Sequence, residues 1–233
     1  MNIGLLIAGG VGKRTNQEIP KQFIHVDDKP IIIYTLEVFQ QHPSIDAILV
    51  VCLDGWHEIL WAYTKQYKIT KLKWIVTGGP NGHDSIHNGL IELKKHYNKT
   101  DIILVHDAIR PMISKEIISE GIADCLKHGS AIASIPCTEV IFKFSNNNII
   151  DEIPRELLKR TQTPQIFSLG KLLDAHKKAK KLNIINPVAS CSLMFALGEP
   201  IHFYNGSEKN IKITTSDDID IFRALLKLHN NIS

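Results

Sequence analysis

The amino-terminal segment carries glycines and cations at a spacing that suits the binding of an anion. They are Gly9, Gly10, Gly12, Lys13, Arg14 and Lys21. Because glycine lacks a side chain, it can adopt positive φ angles and lets backbone N–H groups approach a ligand closely. The added positive charges make a phosphate group the expected ligand. The plainer alternative is a structural turn after a strand, with its basic side chains in solvent.

Two familiar glycine loops do not match this segment. A dinucleotide-binding loop requires G-x-G-x-x-G, but Thr15 stands at the place of the last glycine and Pro20 interrupts any following helix. A Walker loop requires Gly-Lys-Ser/Thr, whereas Arg14 follows Lys13 and Ile7 holds the place of its first glycine. A dinucleotide-dependent oxidoreductase is therefore disfavoured.

A second group of reactive side chains lies at residues 106–111, with the sequence His-Asp-Ala-Ile-Arg-Pro. It follows an apolar run that predicts a strand. An acid at the carboxyl end of a parallel strand faces the crevice in which open α/β sheets bind ligands. Taken alone, Asp107 and Arg110 would be interpreted as a strand-end cap with a local salt bridge, but beside the glycine segment they indicate a binding site.

Apolar runs and amphipathic segments alternate along the first half of the chain. The runs at 45–52, 74–76 and 101–105 predict buried strands, and residues 56–67 predict a helix. Such alternation predicts an α/β fold with a Rossmann-like, mostly parallel, doubly wound sheet.

Length and composition are those of an ordinary globular protein. The 233 residues suffice for one large α/β domain or two small ones, and a formal net charge of +3 is too small to indicate a nucleic-acid partner. The four cysteines are widely spaced, which favours small buried side chains over a disulfide framework or a zinc site. Because neither a signal peptide nor an apolar window of transmembrane length is found, we expect a cytoplasmic protein without a membrane partner.

The motifs together resemble those of the CTP-dependent cytidylyltransferases of the nucleotidyltransferase superfamily. The family pattern A-(A/G)-G-x-G-x-R followed by P-K-Q is matched by Ala8, Gly9, Gly10, Gly12, Arg14, Pro20, Lys21 and Gln22. Later family motifs are matched, in order, within residues 78–90, 106–111, 163–167 and 206–214. The resemblance covers nearly the whole chain and is greatest to the enzymes that act on 2-C-methyl-D-erythritol 4-phosphate and on ribitol 5-phosphate.

The resemblance implies the nucleotidyltransferase type of fold and the transfer of CMP from CTP to a phosphorylated polyol, with release of pyrophosphate. It implies catalytic roles for Arg14, Lys21 and Lys212. It implies CTP contacts for Ala8, Gly9, Gly10, Gly12, Gly79, Pro80, Ser85 and Asp107. It also implies that Asp107 helps to hold Mg²⁺ on the triphosphate. The acceptor would be bound by Arg110, Arg155 and Thr163.

The resemblance further implies a homodimer. Residues 137–153 alternate in polarity around three asparagines, which is typical of a β-hairpin. In the relatives the corresponding hairpin is an arm that crosses to a second subunit, whereas a plain surface hairpin is the alternative. We therefore expect a single domain of residues 1–233 with a protruding β-arm.

Several residues depart from the family pattern. Gly82 replaces an arginine on the CTP side. On the acceptor side, Glu139 and Val140 replace Asp-Thr, and Asn186 and Pro187 replace Thr-Asp. Because polar partners for substrate hydroxyls are lost there, we expect a ribitol-like polyol phosphate as acceptor, with a less hydroxylated one close behind, rather than 2-C-methyl-D-erythritol 4-phosphate.

Two alternatives remain open at this point. Neighbouring side chains or water could replace the lost contacts, in which case 2-C-methyl-D-erythritol 4-phosphate would be the acceptor. The departures from the pattern also leave room for a nucleotide-binding protein that has lost turnover.

Overall fold

A seven-stranded sheet forms the centre of the protein in a computed structural model that describes residues 1–10, 19–185 and 187–230. The strands are β1 (Asn2–Ala8), β2 (His25–Val26), β3 (Lys29–Pro30), β4 (Ala47–Cys52), β5 (Leu72–Thr77), β6 (Ile102–Asp107), β7 (Ala131–Pro136), β8 (Ile141–Ser145), β9 (Asn148–Ile153), β10 (Lys159–Ser168) and β11 (Phe203–Asn205). The pairs β2–β3 and β8–β9 form two small separate ladders.

Seven α-helices lie within the described residues. They are α1 (Ile31–Gln41), α2 (His57–Gln66), α3 (Gly82–Leu93), α4 (Lys115–His128), α5 (Leu169–Lys181), α6 (Ser190–Ala196) and α7 (Ser216–Asn230). Short 3₁₀ turns occur at Lys21–Phe23 and Arg155–Leu157. In this part of the chain, no helix combines the length and the apolar character that crossing a membrane requires.

Within the described residues, six of the seven strands in the central sheet run in the same direction. Their order is β11-β7-β10-β6-β1-β4-β5, and β10 is antiparallel to both of its neighbours. Helices connect the parallel strands and cover both faces of the sheet. The predicted α/β fold with a mostly parallel, doubly wound sheet is therefore confirmed.

The strands distribute their side chains between two apolar layers, which explains their nearly continuous apolar sequences. In β1, Leu6 and Ala8 face the layer that contains α1, α2 and α4, whereas Ile3 and Leu5 face the layer that contains α3, α5 and α6. The last helix, α7, packs against a smaller cluster through Phe222. Both faces of the sheet are thus buried, and polar side chains that could bind a ligand lie at its edges.

The carboxyl ends of β1, β5 and β6 lie at one edge of the sheet because these strands are parallel. The antiparallel β10 begins at this edge, and the chain returns to it after β11. The glycine segment, Asp107, Thr163 and Lys212 therefore reach the same edge from four parts of the sequence.

The strand β10 is the one part of the central sheet that the sequence did not predict. It contains Pro164, and a proline in the middle of a sheet removes a ladder hydrogen bond. The pairing of β10 with β7 changes register between Thr161 and Gln165, so Pro164 lies in an irregularity rather than in a regular ladder. By contrast, the hairpin predicted within 137–153 is present as β8 and β9.

A matched pair of glycine substitutions should measure how tightly α3 packs on the sheet. A Cβ on Gly89 would lie 2.5 Å from Leu5 Cδ1 and 3.0 Å from Val51 Cγ2, whereas no described atom lies within 4 Å of a Cβ on Gly82. Since alanine improves helix propensity in both cases, we expect Gly89→Ala to be less stable than Gly82→Ala by about 1–3 kcal/mol through overpacking. Urea unfolding measures this difference, and equal stabilities would show that the core accommodates the methyl group.

Candidate active site

A cleft of about 680 Å³ opens at the carboxyl edge of the parallel strands. Its walls come from the ends of β1, β5 and β6, the start of β10, the first turn of α3 and the segment after β11. The predicted site residues that line it are Ala8, Gly9, Gly10, Lys21, Gly79, Pro80, Ser85, Asp107, Arg110, Thr163 and Lys212. Side chains from distant parts of the sequence therefore meet in one place.

The remaining predicted site residues lie elsewhere. Gly12 and Arg14 fall outside the described residues. Arg155 does not line the cleft of its own chain; its side chain is exposed at the base of the hairpin, where Nε donates to Glu156 Oε1 at 3.4 Å. Arg155 lies away from Arg110 in the single chain because it follows β9 and not a strand that ends at the cleft. The resemblance implies that Arg155 serves the neighbouring subunit, and this stays a prediction.

The glycines at the floor of the cleft allow two loops to come close together. A Cβ on Gly9 would lie 3.3 Å from the Cα of Gly78, and a Cβ on Gly78 would lie 3.2 Å from the Cα of Gly9. Neither Gly9 nor Gly10 has a φ in the left-handed region, so the positive φ that glycine permits is not used at these two positions. Glycine is needed here because the loops after β1 and β5 converge above the end of β4, where a side chain would not fit.

A buried amide fixes the start of the glycine segment. The Nε2 group of Gln22 donates to the carbonyl oxygens of Ala8 at 2.7 Å and of Gly10 at 3.2 Å, and this side chain is only 1% exposed. Its neighbour Lys21 lines the cleft. The hydrogen bonds of Gln22 therefore position both the loop and the adjacent cation.

The N-terminus of α3 faces the cleft and brings a positive partial charge to it. Asn81 caps the helix by accepting a hydrogen bond from Asp84 N at 2.9 Å. Ser85 Oγ accepts one from Gly79 N at 3.0 Å, so Ser85 shapes the loop before the helix. Gly82, which replaces the family arginine, is the first residue of α3 and borders the cleft. A helix N-terminus at this position favours negatively charged ligands.

Asp107 is paired with two cations at the centre of the cleft. Its Oδ2 accepts a hydrogen bond from Arg110 Nε at 3.0 Å, and Lys212 Nζ lies 3.2 Å from Oδ1 and 3.1 Å from Oδ2. Burial acts to raise the pKa of this carboxyl, but Lys212 and Arg110 outweigh burial and lower the pKa below its usual value. Asp107 is therefore ionised at neutral pH.

A chain of hydrogen bonds through Thr163 and His106 positions the backbone of Asp107. The backbone N–H of Asp107 donates to Thr163 Oγ1 at 3.0 Å, and this hydroxyl oxygen lies 2.9 Å from His106 Nδ1. The other ring nitrogen, Nε2, lies 3.3 Å from the carbonyl oxygen of Arg110. Since a carbonyl oxygen only accepts, Nε2 carries the proton and Nδ1 accepts from the threonine hydroxyl. Thr163, expected to bind the acceptor, thus also holds Asp107 in place.

The environment of His106 keeps its ring neutral. The side chain is fully buried, and burial lowers its pKa to about 4. A neutral ring is required for the hydrogen bonds just described, because a protonated Nδ1 could not accept from Thr163.

Buried amides attach the segment that carries Lys212 to β10. Gln162 Nε2 donates to Ser207 O at 2.8 Å, and Asn210 Nδ2 donates to Thr163 O at 2.9 Å. Arg110 Nη1 in turn donates to Asn210 O at 2.8 Å. The structure therefore shows four residues that hold the site in place and for which the sequence analysis proposed no function. They are Gln22, His106, Gln162 and Asn210. These four residues could have been identified from the sequence because each lies in or beside a segment that matches a family motif.

The fold and the cleft define the class of protein. A glycine loop, a helix N-terminus and the cations Lys21, Arg110 and Lys212 meet at the carboxyl edge of a mostly parallel sheet. This arrangement suits a nucleoside triphosphate, because nucleotidyl transfer depends chiefly on positioning the reactants and on stabilising the negative charge of the phosphate groups. These are the features of an α/β nucleotidyltransferase.

Comparison with known proteins identifies the family. Residues 3–228 match the family model described as IspD: 2-C-methyl-D-erythritol 4-phosphate cytidylyltransferase, and the chain belongs to this family. It is 41% identical over 230 residues to a ribitol-5-phosphate cytidylyltransferase of Lacticaseibacillus paracasei, covering 97% of this chain and 98% of that one. It is 37% identical over 228 residues to a 2-C-methyl-D-erythritol 4-phosphate cytidylyltransferase of Clostridium botulinum, covering 97% of each chain.

The fold is also shared with solved structures of the family. The crystal structure of 2-C-methyl-D-erythritol 4-phosphate cytidylyltransferase from Francisella tularensis has a TM-score of 0.79 and 27% sequence identity. The match covers 95% of this chain and 98% of that one. The predicted enzyme class, a cytidylyltransferase, is confirmed by these relationships.

The free energy of unfolding should fall as the pH falls from about 6.5 towards 4. An unfolded histidine binds a proton below about pH 6.5, whereas His106 in the folded protein does so only near its lowered pKa of about 4. Between these values the unfolded state binds more protons and is favoured. For His106 the loss at pH 4 is about 3 kcal/mol, since one pKa unit corresponds to about 1.36 kcal/mol. Burial also lowers the pKa of His176, to about 3, which adds to the same loss.

Urea unfolding at several pH values tests this expectation. The His106→Gln variant should lose part of the pH dependence, whereas the control His25→Gln, which removes an exposed histidine, should retain it. The same slope of stability against pH in all three proteins would contradict a buried, neutral His106.

Proposed function

We propose that this protein transfers CMP from CTP to ribitol 5-phosphate, or to a closely similar polyol phosphate, and releases pyrophosphate. The observation that carries the proposal is the pairing of Asp107 with Lys212 and Arg110 beside the glycine loop. The choice of acceptor is supported by relatives named ribitol-5-phosphate cytidylyltransferase that are 41% and 37% identical to this chain. In this proposal residues 1–233 form a single catalytic domain.

CTP is proposed to bind with its base near the Gly79 loop and its triphosphate near Gly9 and Gly10. The backbone carbonyl groups of Gly79 and Pro80 are acceptors of the type that can bind the amino group of a cytosine ring. The triphosphate would then lie beside Lys21 and the N-terminus of α3, where negative charge is favoured. Gly12 and Arg14 are proposed to contact it as well.

Mg²⁺ fits this site through Asp107. The ion prefers oxygen ligands and commonly uses one or two carboxylates together with phosphate groups of the substrate. Asp107 offers an ionised carboxylate that is 20% exposed at the cleft. Bound there, Mg²⁺ would neutralise part of the charge on the triphosphate.

The proposed reaction is a displacement at phosphorus. A phosphate oxygen of the acceptor forms a bond to the α-phosphorus of CTP, and the bond from that phosphorus to the oxygen bridging to the β-phosphate breaks. Pyrophosphate leaves with the electron pair of that bond. Lys21 and Lys212 are proposed to stabilise the negative charge that develops, together with Arg14. No group of the protein needs to act as a nucleophile.

The acceptor is proposed to bind at the other side of the cleft. Arg110 and Thr163 lie there, and Arg110 offers a cation for the acceptor phosphate. At the mouth of the cleft Val188 is 95% exposed, next to Pro187 in place of the family acid. Because neither side chain accepts a hydrogen bond from a hydroxyl, recognition there differs from that of a site built for 2-C-methyl-D-erythritol 4-phosphate.

A homodimer is proposed to form through the hairpin. Five of its apolar side chains are 47–71% exposed in the single chain. They are Val140, Phe142, Phe144, Ile149 and Ile150. A two-stranded hairpin is marginally stable in water by itself, and exposed apolar patches mark sites of interaction. Arg155, at the base of the hairpin, would then reach the acceptor site of the partner subunit.

We also propose that the enzyme acts in the cytoplasm. The four cysteines are buried and free of disulfides. Free thiols are typical of reducing compartments.

Two other candidates follow from specific observations. The family model and the Clostridium botulinum relative favour 2-C-methyl-D-erythritol 4-phosphate as acceptor. Gly82, in place of the family arginine, is the reason to consider a nucleotide-binding protein without turnover.

A panel of acceptors assayed with CTP and Mg²⁺ tests the proposed function. We expect ribitol 5-phosphate to give the highest kcat/KM, because the relatives named ribitol-5-phosphate cytidylyltransferase are 41% and 37% identical to this chain over nearly its whole length. If 2-C-methyl-D-erythritol 4-phosphate gives the highest value, the proposed acceptor is wrong. If CTP binds but no acceptor of the panel releases pyrophosphate, the protein has lost turnover.

Removing a cation from the cleft should reduce turnover without unfolding the protein. We expect Lys21→Ala, Lys212→Ala and Arg14→Ala each to lower kcat by about 10²–10³-fold, as is typical when one stabilising contact to developing charge is lost. The matched control is Lys209→Ala, an exposed lysine close to Lys212 in the sequence that does not line the cleft. Pyrophosphate release is measured beside a melting curve. Near-normal turnover in the three variants would remove their catalytic assignment.

Hybrid dimers should restore activity if Arg155 serves the partner subunit. Arg155→Ala and Lys21→Ala proteins are each expected to be nearly inactive, and mixing them creates dimers in which one site keeps both residues. Arg223→Ala, which removes an exposed arginine from α7, is the control and should remain active without mixing. A protein that sediments only as a monomer at assay concentrations would contradict this prediction.

A further inference from the structure

A cluster of metal-ligating side chains lies at the edge of the sheet opposite the cleft. Asp124 and His128 are on the last turns of α4, and His202 directly precedes β11. Because β7 and β11 are parallel, the start of β11 and the end of α4, which leads into β7, meet at the amino ends of these strands. The cluster is therefore separate from the cytidylyltransferase site.

The three side chains lie close together. Each offers one ligand atom, and these atoms all lie within 4.8 Å of one another. Asp124 and His128 are four residues apart on one helix face, which places them side by side. The rings of His128 and His202 are stacked, with centroids 3.8 Å apart and planes inclined by 17°.

The spacing of Asp124 and His202 is that of two ligands on one ion. Asp124 Oδ2 lies 3.5 Å from His202 Nε2, which is too long for a good hydrogen bond. Ligands about 2.1 Å from a tetrahedral Zn²⁺ lie roughly 3.4 Å from each other. Hydrogen bonds from the described residues do not reach the Asp124 carboxylate or the ring nitrogens of His128 and His202, so these atoms are available to an ion.

The backbone that carries these side chains is firmly held. His202 N donates to Ser130 Oγ at 3.1 Å, and Ile132 N donates to His202 O at 2.8 Å. The helix α4 ends at Gly129, whose N donates to Cys125 O at 2.8 Å and whose φ of 77° forms a left-handed cap. The ligands are therefore carried by a well-defined backbone, and the stacked rings would rotate to direct their nitrogens at one ion.

We propose that Asp124, His128 and His202 bind a zinc-class divalent transition metal ion. Two imidazoles and one carboxylate form a ligand set that Zn²⁺ accepts, with water completing a tetrahedral coordination. Mg²⁺ prefers oxygen ligands and is not expected to bind. The ion would join the end of α4 to β11, an edge strand of the sheet, and thereby stabilise the folded protein by mass action.

Metal titration of tag-free protein tests the proposal. Co²⁺ is followed by its visible absorption and Zn²⁺ by calorimetry, with Mg²⁺ as the negative probe. We expect one site per chain in the unaltered protein. His128→Asn, His202→Asn and Asp124→Asn should each weaken binding at least about tenfold, since even a residue that merely supports a ligand contributes about 10–100-fold.

A second acid–histidine pair provides the matched control. Glu92 and His96 are also four residues apart, with Oε1 and Nε2 3.1 Å apart, but they do not belong to a three-ligand group within the described residues. His96→Asn should therefore leave the affinity for Zn²⁺ unchanged.

The melting temperature gives an independent readout. At a Zn²⁺ concentration about a hundred times the dissociation constant, it should rise by roughly 5–10 °C in the unaltered protein and in His96→Asn. In His128→Asn and His202→Asn the rise should fall to about half or less, because binding that is at least tenfold weaker stabilises the folded state correspondingly less. Absence of binding in the unaltered protein, or binding and a temperature rise that are undiminished in all three cluster variants, would overturn the proposal.

Discussion

The cleft depends on the ionised carboxylate of Asp107, which is held between two cations. Arg110 comes from the turn after β6, and Lys212 lies 105 residues after Asp107 in the chain. A partly buried ion pair is stable only when its geometry is good and further hydrogen bonds compensate for the lost solvation. Here Asn210 accepts from Arg110, and Thr163 accepts from the backbone of Asp107. One charged centre therefore fixes three segments of the chain relative to one another.

Neutral polar side chains hold the surrounding loops, which regular secondary structure does not. Gln22 binds two carbonyl oxygens of the glycine segment, and Gln162 binds the turn at Ser207. The uncharged ring of His106 adds to these contacts by bonding Thr163, which in turn bonds the backbone of Asp107. A buried polar network of this kind favours a single arrangement, because any other arrangement leaves polar groups without partners. The charged groups of the cleft are thus positioned before a substrate arrives.

The residues proposed to act in the chemistry and those proposed to select the acceptor lie in different parts of the fold. The glycine loop, Asp107 and Lys212 are attached to the central sheet and its apolar layers, where substitutions affect stability. Val140 in the hairpin region and Val188 near the mouth of the cleft lie in segments outside the sheet, and both are exposed. Such segments tolerate changes that leave the core intact. This arrangement is consistent with a fold that is shared by cytidylyltransferases whose names specify different acceptors.

The sequence by itself determined the class of fold and most of the cleft. Continuous apolar runs such as that of β4 indicated buried parallel strands. The glycines and Asp107 were recognisable from residue type and position, and Lys212 from the resemblance to the family. Only the tertiary structure showed that β10 enters the sheet through an irregularity at Pro164, that Gly9 is required by contact with Gly78, and that Arg155 does not line the cleft of its own chain. It also brought His202 to Asp124 and His128. The physical reason is that local sequence patterns report backbone preference and burial. These features are instead contacts between residues far apart in the chain, which form only when the sheet has assembled.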